Sequence, residues 1–425
     1  MRSCQASWPG TVEISEKSLN SDTITRRDVL AKTSAAVIGT TAVQELLRGG
    51  ERSASAETAA QATDTSRKVR IGVVGGGFGA SFHWHEDPNC VVTGVTDLRA
   101  DRRDILRKRY QCDSVYDSLE VMIQKARDID AVAIFTEAPN HEKHVRLSME
   151  RGWHVISAVP ACLTIEEAER LKEVKEKTGL KYMMAETSYY RHHTIAARQL
   201  FQEGKFGELF YSEVEYYHPH VGWAHSPLAF HEGKRTWRYG YPPMLYPTHS
   251  TGFLVGVTGE RLSAVSCLGW GNPSDITLKD NVYGSPFNCG SALFKTDKNH
   301  VCRCNVFWDG VADGERAQWF GTKLAFYMPG SSGQPFRVQG PESPKWDKQP
   351  DFWLLVPEKM RHDSGHGGSH PFLTHEFVMA LIENREPVID LYESLAMTVP
   401  GIVAHQSALR GGEQLKVPCF DKTKS

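Results

Sequence analysis

Two segments carry side chains that could exchange a proton with a substrate, MLYPTH (244–249) and YMMAETSYYR (182–191). An imidazole titrates near neutral pH, so we expect His249 to accept a proton from a substrate hydroxyl. A helix-capping or core histidine is the alternative. Tyr246 and Tyr190 rank second as proton or hydrogen-bond partners, with plain packing as the alternative. If 244–249 is helical, Tyr246 and His249 share one helix face.

A third segment, SGHGGSHPF (364–372), combines glycines with two histidines. Glycine lets a backbone approach a ligand closely, so we expect His366 and His370 to contact substrate hydroxyls. A surface loop with exposed histidines is the alternative. No carboxylate or cysteine completes a metal site locally, and the nine cysteines show no zinc spacing. We therefore predict no metal.

A glycine-rich turn follows an apolar strand in RKVRIGVVGGGFGASFHWH (67–85). Residues 75–80 read Gly-x-Gly-x-x-Ala, the pattern of a dinucleotide-binding turn that opens a helix. Gly75 permits the tight turn, Gly77 lets the backbone approach a pyrophosphate, and Ala80 allows close helix–strand contact. Phe78 and Gly79 complete the predicted cofactor loop. A glycine turn without a ligand is the alternative.

The next strand, CVVTGVTD (90–97), ends in an acid about 20 residues after the first glycine. At this position a carboxylate accepts the ribose hydroxyls, so Asp97 is predicted to bind the cofactor. Because an acid repels a 2′-phosphate, NAD is favoured over NADP. Arg99, Arg102 and Arg103 lie close by and leave NADP open.

Strands and helices alternate as far as residue 187, which predicts an α/β fold with a doubly wound parallel sheet. Asn140 and His144 follow the strand DAVAIFT and are expected to organise the nicotinamide edge. Thr164 and Glu167 form a predicted capping box at the start of a helix. The strand HVISAVP ends in Ala158, Val159 and Pro160, where no side chain can carry a proton; Pro160 is counted with the cofactor-binding residues because it shapes this loop.

The length and net charge of the chain limit the classes of partner. A chain of 425 residues is long enough for two domains, and its net charge of −2 without a basic run argues against nucleic acid or an anionic membrane as the main partner. We therefore expect a small-molecule partner and no membrane anchor.

The first 56 residues have the pattern of a twin-arginine export signal. TRRDVLAK (25–32) precedes a short, mildly apolar run and an Ala-x-Ala site at 54–56, and a disordered basic tail is the alternative. A periplasmic location is therefore expected. Because no nicotinamide pool exists there, the cofactor should stay bound.

The chain resembles the glucose–fructose oxidoreductase, inositol dehydrogenase and rhizopine catabolism (Gfo/Idh/MocA) superfamily in four segments: GVVGGGFGASFH, TEAPNHEKHV, GWHVISAVPACLTIEEA and GKFGELFYSEVEY. The resemblance implies a Rossmann domain at 67–188 and a substrate and oligomerisation domain at 189–425, an α+β unit with a large, mostly antiparallel sheet. Members mostly oxidise or reduce carbohydrates and cyclitols, and the large sheet often mediates oligomers, so the resemblance implies a small carbohydrate substrate and a possible homo-oligomer.

Two positions depart from the usual superfamily pattern. Val159 replaces a lysine that shuttles the hydroxyl proton, and Leu245 replaces an acid four residues before His249. YPTH (246–249) together with Val159 is similar to the NAD-dependent α-N-acetylgalactosaminidase branch. The run YMMAETSYYR is similar to it as well, with Tyr190 at a matching aromatic position. In that branch NAD oxidises the sugar transiently, the glycosidic group is eliminated, water adds and the hydride returns.

Three functions follow from these observations. The first is an NAD(P)-dependent oxidoreductase that transfers a hydride from a carbohydrate or cyclitol to a tightly held cofactor. The alternative is a redox-neutral glycosidase that uses bound NAD. A non-catalytic NAD-bearing binding protein is the third, supported only by the missing proton relay.

Overall fold

The computed structural model describes residues 67–219, 228–341, 343–345 and 350–422. The predicted export signal lies outside these ranges. The first strands along the described chain are β1 (Val69–Val74), β2 (Cys90–Thr96), β3 (Val115–Tyr116), β4 (Ala131–Ile134), β5 (His154–Ser157) and β6 (Tyr182–Met184). They form a parallel sheet in the order β3-β2-β1-β4-β5-β6, the order of a dinucleotide-binding fold. The predicted doubly wound sheet is confirmed.

Four helices connect these strands: α1 (Ala100–Tyr110), α2 (Leu119–Lys125), α3 (His141–Glu150) and α4 (Ile165–Thr178). The predicted start of α4 is confirmed, because the Thr164 hydroxyl accepts a hydrogen bond from the Glu167 N–H at 3.1 Å. The Glu167 carboxylate accepts one from the Leu163 N–H in return. Gly179 ends α4 in the left-handed conformation.

The glycine turn does not open an α-helix, which corrects the prediction from the sequence pattern. Two short 3₁₀ turns follow it, Phe78–Ser81 and Trp84–Glu86. His83 between them is left-handed with φ of +51°, and Asp87 is extended before Pro88. Both conformations interrupt a helix. Only one short turn therefore presents its N–H groups to a ligand at this point.

The second half of the chain builds a larger sheet. Its elements are α5 (His192–Gln202), β7 (Leu209–Tyr217), β8 (Phe230–His231), β9 (Lys234–Arg235), α6 (Thr248–Thr258), β10 (Leu262–Trp270), α7 (Ile276–Lys279), β11 (Cys289–Thr296), β12 (Val301–Phe307), β13 (Gly314–Gly321), β14 (Ala325–Tyr327), β15 (Arg337–Gln339), α8 (Ser369–Ile382), α9 (Leu391–Leu409) and β16 (Leu415–Lys416). The sheet order is β15-β14-β13-β7-β12-β11-β10-β16. The β7–β12 pair is parallel and the other pairs are antiparallel, so the predicted mostly antiparallel sheet is confirmed.

One hydrophobic core extends under both sheets, and the described residues form one compact unit. Helix α9 packs against β6, β10 and α6 and so joins the two sheets. The parallel sheet ends at Met184 and the larger sheet begins at Leu209, and the domain boundary at 188 stays a prediction.

The larger sheet also has an outer face. Strand β11 alternates buried and exposed residues, as expected for a sheet covered on one side. Leu268, Trp270 and Leu293 are exposed, at 64%, 55% and 55%. The predicted homo-oligomer stays a prediction. Within the described residues, no helix combines the length and apolarity required to cross a membrane.

Candidate active site

The glycine turn after β1 is shaped by three close approaches. Gly75 has φ of +105°, and a Cβ there would lie 2.2 Å from the Phe135 carbonyl oxygen. A Cβ on Gly76 would lie 2.4 Å from the Arg102 carbonyl oxygen, and one on Gly79 would lie 2.9 Å from the Phe135 ring. The fold therefore requires glycine at these positions.

Gly77 is different, because nothing in the protein requires it. Its φ is −74°, and an added Cβ would meet only the Arg102 guanidinium, at an ordinary contact distance of 3.5 Å. A close-packed ligand is the remaining reason for glycine here, as the predicted pyrophosphate contact implies. The turn thus fits a dinucleotide on the evidence of its own geometry.

Asp97 lies at the end of β2 beside this turn. Its Oδ2 accepts a hydrogen bond from the Gly76 N–H at 2.7 Å, and its Oδ1 accepts one from the Arg99 N–H at 2.8 Å. The Arg99 guanidinium pairs with Asp101, and Arg103 donates to the Asp97 carbonyl oxygen. These bonds fix the carboxylate at the position predicted for ribose recognition.

Two histidines make hydrogen bonds to the loops after β4 and β5. His141, which the sequence reasoning missed, is buried, and its two ring nitrogens face the carbonyl oxygens of Pro160 at 2.7 Å and Thr136 at 3.1 Å. His144 shares a hydrogen bond with the Thr136 hydroxyl at 2.9 Å, and burial lowers the pKa of His144 to about 4. Asn140 precedes α3 without capping it through its side chain.

At the end of β5, Ala158, Val159 and Pro160 are buried. No group that can transfer a proton stands at this strand end, as predicted. The proton chemistry must come from another element.

A buried carboxylate–imidazole pair contains groups that can exchange a proton. His249 in the first turn of α6 donates from Nδ1 to the Glu186 Oε1 at 2.8 Å, and the two residues are 3% and 0% exposed. The approach is close, because a Cβ on Gly252 would lie 2.9 Å from the Glu186 Cγ. Helix α6 can therefore pack on Glu186 only with glycine at this position.

The charge of Glu186 is set by two opposing effects. Burial by itself would raise its pKa, but His249 and a hydrogen bond from the Ser188 N–H at 2.8 Å outweigh burial and lower the pKa of Glu186 to about 2. The carboxylate is thus ionised at neutral pH. Among the described residues, the Glu186 Oε2 and the Ser188 hydroxyl have no hydrogen-bond partner.

In the folded protein Glu186 places a carboxylate beside His249, where the superfamily pattern has an acid at the position of Leu245. It follows β6 directly, at the carboxyl end of a parallel strand, where ligands gather in this type of sheet. Its position at the strand end could have predicted a role for Glu186. The sequence analysis missed it because the superfamily motif places the acid four residues before His249.

Aromatic rings surround the His249 imidazole. The ring centres of Tyr246 and Tyr216 lie 5.3 and 4.7 Å from it. Tyr246 precedes α6, so Tyr246 and His249 do not share one helix face. The turn before α6 brings their rings together. Burial raises the pKa of Tyr246, and Arg238, whose guanidinium lies 5.8 Å from the Tyr246 ring, opposes this.

Tyr190 lies elsewhere. Its ring stacks on Phe372 at 5.8 Å and packs with Ile195, Val356 and Met360. The structure places Tyr190 in this packing cluster, and no contact among the described residues brings it to His249. Its predicted role as a proton or hydrogen-bond partner stays a prediction.

The two histidines of 364–372 form a chain from His249 to the glycine turn. The ring of His366 lies 6.1 Å from that of His249, and its Nδ1 is 3.0 Å from the His370 Nε2. The His370 Nδ1 reaches the Ser81 carbonyl oxygen at 3.3 Å. His366 is therefore placed at the reacting centre, whereas His370 is 1% exposed and lies behind it.

Both rings are held neutral. Burial, with His249 and His370 nearby, lowers the pKa of His366 to about 3, and burial lowers the pKa of His370 to about 4. Phe78 of the glycine turn meets both rings edge-on, at 5.4 and 5.2 Å. The cofactor turn and the imidazole pair thus border one site.

A dinucleotide-binding turn next to a carboxylate-supported imidazole defines an NAD-dependent enzyme of the oxidoreductase type. Residues 69–186 match the NAD-binding Rossmann-fold model of the Gfo/Idh/MocA oxidoreductase family, and residues 310–425 match the C-terminal domain of glycosyl hydrolase 109. The predicted resemblance to the Gfo/Idh/MocA superfamily, with features of its glycosyl hydrolase 109 branch, is therefore confirmed.

Known proteins similar to the chain fall into two groups. A glycosyl hydrolase family 109 protein of Solibacter usitatus is 24% identical over 95% of this chain and 98% of its own length. The α-N-acetylgalactosaminidase of Shewanella oneidensis is 25% identical over 83% and 85%.

The second group consists of solved structures. The scyllo-inositol dehydrogenase of Lactobacillus casei with bound NAD(H) and scyllo-inositol has a TM-score of 0.64 and 19% identity, over 82% of this chain and 99% of that one. The WlbA dehydrogenase of Bordetella pertussis, in complex with NADH and UDP-GlcNAcA, has a TM-score of 0.68 and 16% identity, over 84% and 100%. At these identities the structures show the shared fold.

Gly77→Ala tests the cofactor turn. The added methyl fits the folded protein but occupies the space of the predicted pyrophosphate, so we expect NAD affinity to fall by at least about tenfold with an unchanged melting temperature. Calorimetric titration of NAD into nucleotide-free protein measures this. Gly75→Ala is the comparison and should lower the melting temperature itself. Unchanged NAD affinity in Gly77→Ala would remove the turn from the binding site.

His366→Asn tests the neutral histidine chain, and asparagine tolerates the left-handed φ of +48° at this position. The unfolded chain binds a proton on this histidine below about pH 6.5, whereas the folded protein does so only near pH 3. Protonation of His366 therefore increasingly favours the unfolded chain as the pH falls through this window. We expect unfolding free energy to fall less from about pH 7 to about pH 5 in the variant than in the wild type, measured by urea denaturation. Equal pH dependence would contradict the assignment of His366 as neutral in the folded protein.

Proposed function

We propose that this enzyme is a redox-neutral glycosidase that keeps NAD bound through its cycle. The observation that carries the proposal is the buried Glu186–His249 pair beside the glycine turn, at a site whose strand end has no lysine. The glycosyl hydrolase 109 match at 310–425 supports the same conclusion. The α-N-acetylgalactosaminidase relative indicates an α-linked N-acetylhexosamine as the first substrate to test.

The cofactor proposed is NAD and not NADP. Residues 75–79 would hold its pyrophosphate and Asp97 its ribose, and when bound it would take a hydride from a sugar carbon and return it later. Asp97 is an acid at the ribose position. Arg99 and Arg103 already have partners of their own, which leaves them less suited to a 2′-phosphate.

His249 would accept the proton of the sugar hydroxyl that is oxidised. The ionised Glu186 would hold the Nδ1 proton in place and stabilise the imidazolium that forms. Tyr246 and the neutral His366 flank the imidazole and are proposed to hydrogen-bond neighbouring sugar hydroxyls. Oxidation acidifies the adjacent C–H bond, so the aglycone can leave, water can add, and the net reaction is hydrolysis.

A net carbohydrate or cyclitol oxidoreductase is the second candidate. The same Glu186–His249 pair could accept the proton in this reaction, and solved dehydrogenases share the fold. The two functions differ in what accumulates: net oxidation produces free NADH, whereas redox-neutral cleavage releases aglycone and leaves the bound NAD unchanged. The third candidate, a non-catalytic binding protein, would do neither.

Turnover of aryl glycosides in D₂O tests the proposal. We expect the purified protein to contain bound NAD, to release aglycone without net NADH, and to place one deuterium on the sugar carbon next to the oxidised one. His249→Ala should lower kcat by roughly 10²- to 10⁴-fold, and Glu186→Gln by a smaller factor because its amide keeps a hydrogen bond. Mass spectrometry detects the nucleotide and the deuterium.

Three results would go against the proposal. Net NADH with sugars would support the oxidoreductase. Aglycone release without deuterium would indicate direct hydrolysis. NAD binding without turnover of any glycoside or sugar would support the binding protein.

We also propose export to the periplasm by the twin-arginine route. Arg26 and Arg27 precede the apolar run, and the Ala-x-Ala site follows at 54–56. Replacing both arginines with lysine should retain the uncleaved protein in the cytoplasm, as measured by cell fractionation and intact mass. Normal export of that variant would contradict the proposal.

A further inference from the structure

A tight turn after the cofactor loop directs three metal-ligating side chains to one place. His83, His85 and Glu86 each offer a ligand atom, and these atoms all lie within 4.8 Å of one another. Trp84 between them is fully buried and anchors the turn. The left-handed His83 and the 3₁₀ turn that follows it bring these side chains together.

His362 brings a fourth side chain from the other half of the chain. Its Nε2 lies 2.5 Å from the Glu86 Oε2, while the His83 Nδ1 lies 2.8 Å from the Glu86 Oε1. The ring centres of His83 and His362 are 4.8 Å apart. Both Glu86 oxygens therefore face imidazole nitrogens.

We propose that His83, His85, Glu86 and His362 form a Zn²⁺ site. Three imidazoles and a carboxylate are a donor set that suits this ion, and tetrahedral ligands at about 2.0–2.1 Å from zinc lie roughly 3.3 Å apart. The ligand atoms of His83, His85 and Glu86 lie within 4.8 Å of one another, and His362 contacts Glu86, so side-chain rotation must bring the four groups to that spacing. Arg109 reaches the His83 Nε2 at 3.5 Å, so His83 binds through Nδ1, the nitrogen that faces Glu86.

The exposed His85 distinguishes a zinc site from an arrangement held by hydrogen bonds alone. Hydrogen bonds from His83 and His362 to Glu86 could join the two chain segments without any ion. His85 takes no part in them: among the described residues its contacts are ring contacts with His83 and Tyr110. A metal ion gives His85 a ligand role, and the hydrogen-bonded arrangement does not.

The site lies next to the active-site loop. His362 is four residues before His366, and Phe82, which precedes the metal-binding turn, stacks on His370 at 4.4 Å. Bound Zn²⁺ therefore fixes the segment that presents His366 to His249. The binding of the ion itself does not depend on which reaction the enzyme catalyses.

The test uses untagged, NAD-containing protein from which metal has been removed with a chelator. We expect calorimetry with Zn²⁺ to show one site per chain, and Co²⁺ to give the visible absorption of a tetrahedral site. His85→Ala should lower Zn²⁺ affinity at least about tenfold and abolish the rise in melting temperature on adding Zn²⁺, while its melting temperature without metal matches the wild type. His231→Ala, at a partly exposed histidine outside the cluster, is the matched control and should bind like the wild type.

The absence of a stoichiometric site would overturn the proposal. So would His85→Ala that binds Zn²⁺ as tightly as the wild type, since that result leaves only the hydrogen-bonded arrangement. Loss of binding in His231→Ala would place the ion elsewhere and would have the same consequence.

Discussion

The contact between the Glu186 carboxylate and the His249 imidazole is the interaction on which the rest of the site depends. Both groups are buried, and moving ionisable groups out of water is costly unless they have partners. Helix α6 satisfies this need by bringing His249 to within 2.8 Å of the carboxylate. Packing that close requires glycine at 252, so the chemistry of the pair and the backbone of the helix constrain each other.

The pair is not fully satisfied. The second oxygen of Glu186 and the Ser188 hydroxyl lack partners among the described residues, and buried polar groups of that kind are uncommon in proteins. A buried polar group without a protein partner can bind a ligand or an ordered water. Here the two groups lie beside the imidazole that is best placed to exchange a proton.

The segment around His366 and His370 couples the two halves of the site. One end of the histidine chain lies at His249 and the other at the Ser81 carbonyl, directly after the glycine turn. Because burial keeps both rings neutral, they can serve as hydrogen-bond groups without adding positive charge next to His249. A shift of this segment would alter the cofactor side and the substrate side together.

The sequence by itself determined the features that are local. The glycine turn, Asp97 at a set distance from it and the alternation of strands and helices each lie within a few tens of residues, so spacing alone predicts the parallel sheet and its cofactor loop. Known motifs pointed to His249 and to the missing lysine. Chain conformation at His83 and Asp87, where the expected helix is replaced by two 3₁₀ turns, was not readable from the glycine pattern.

Only the tertiary structure decided which side chains meet. Glu186 and His249 are 63 residues apart, and Glu86 and His362 are 276 apart, so no spacing rule joins them. The spacing of apolar residues also could not predict that the Tyr190 ring stacks on Phe372, or that His370 lies behind His366. The physical reason is that local sequence sets the conformation of each segment, whereas the partner of a buried charge is selected by how the helices and sheets pack.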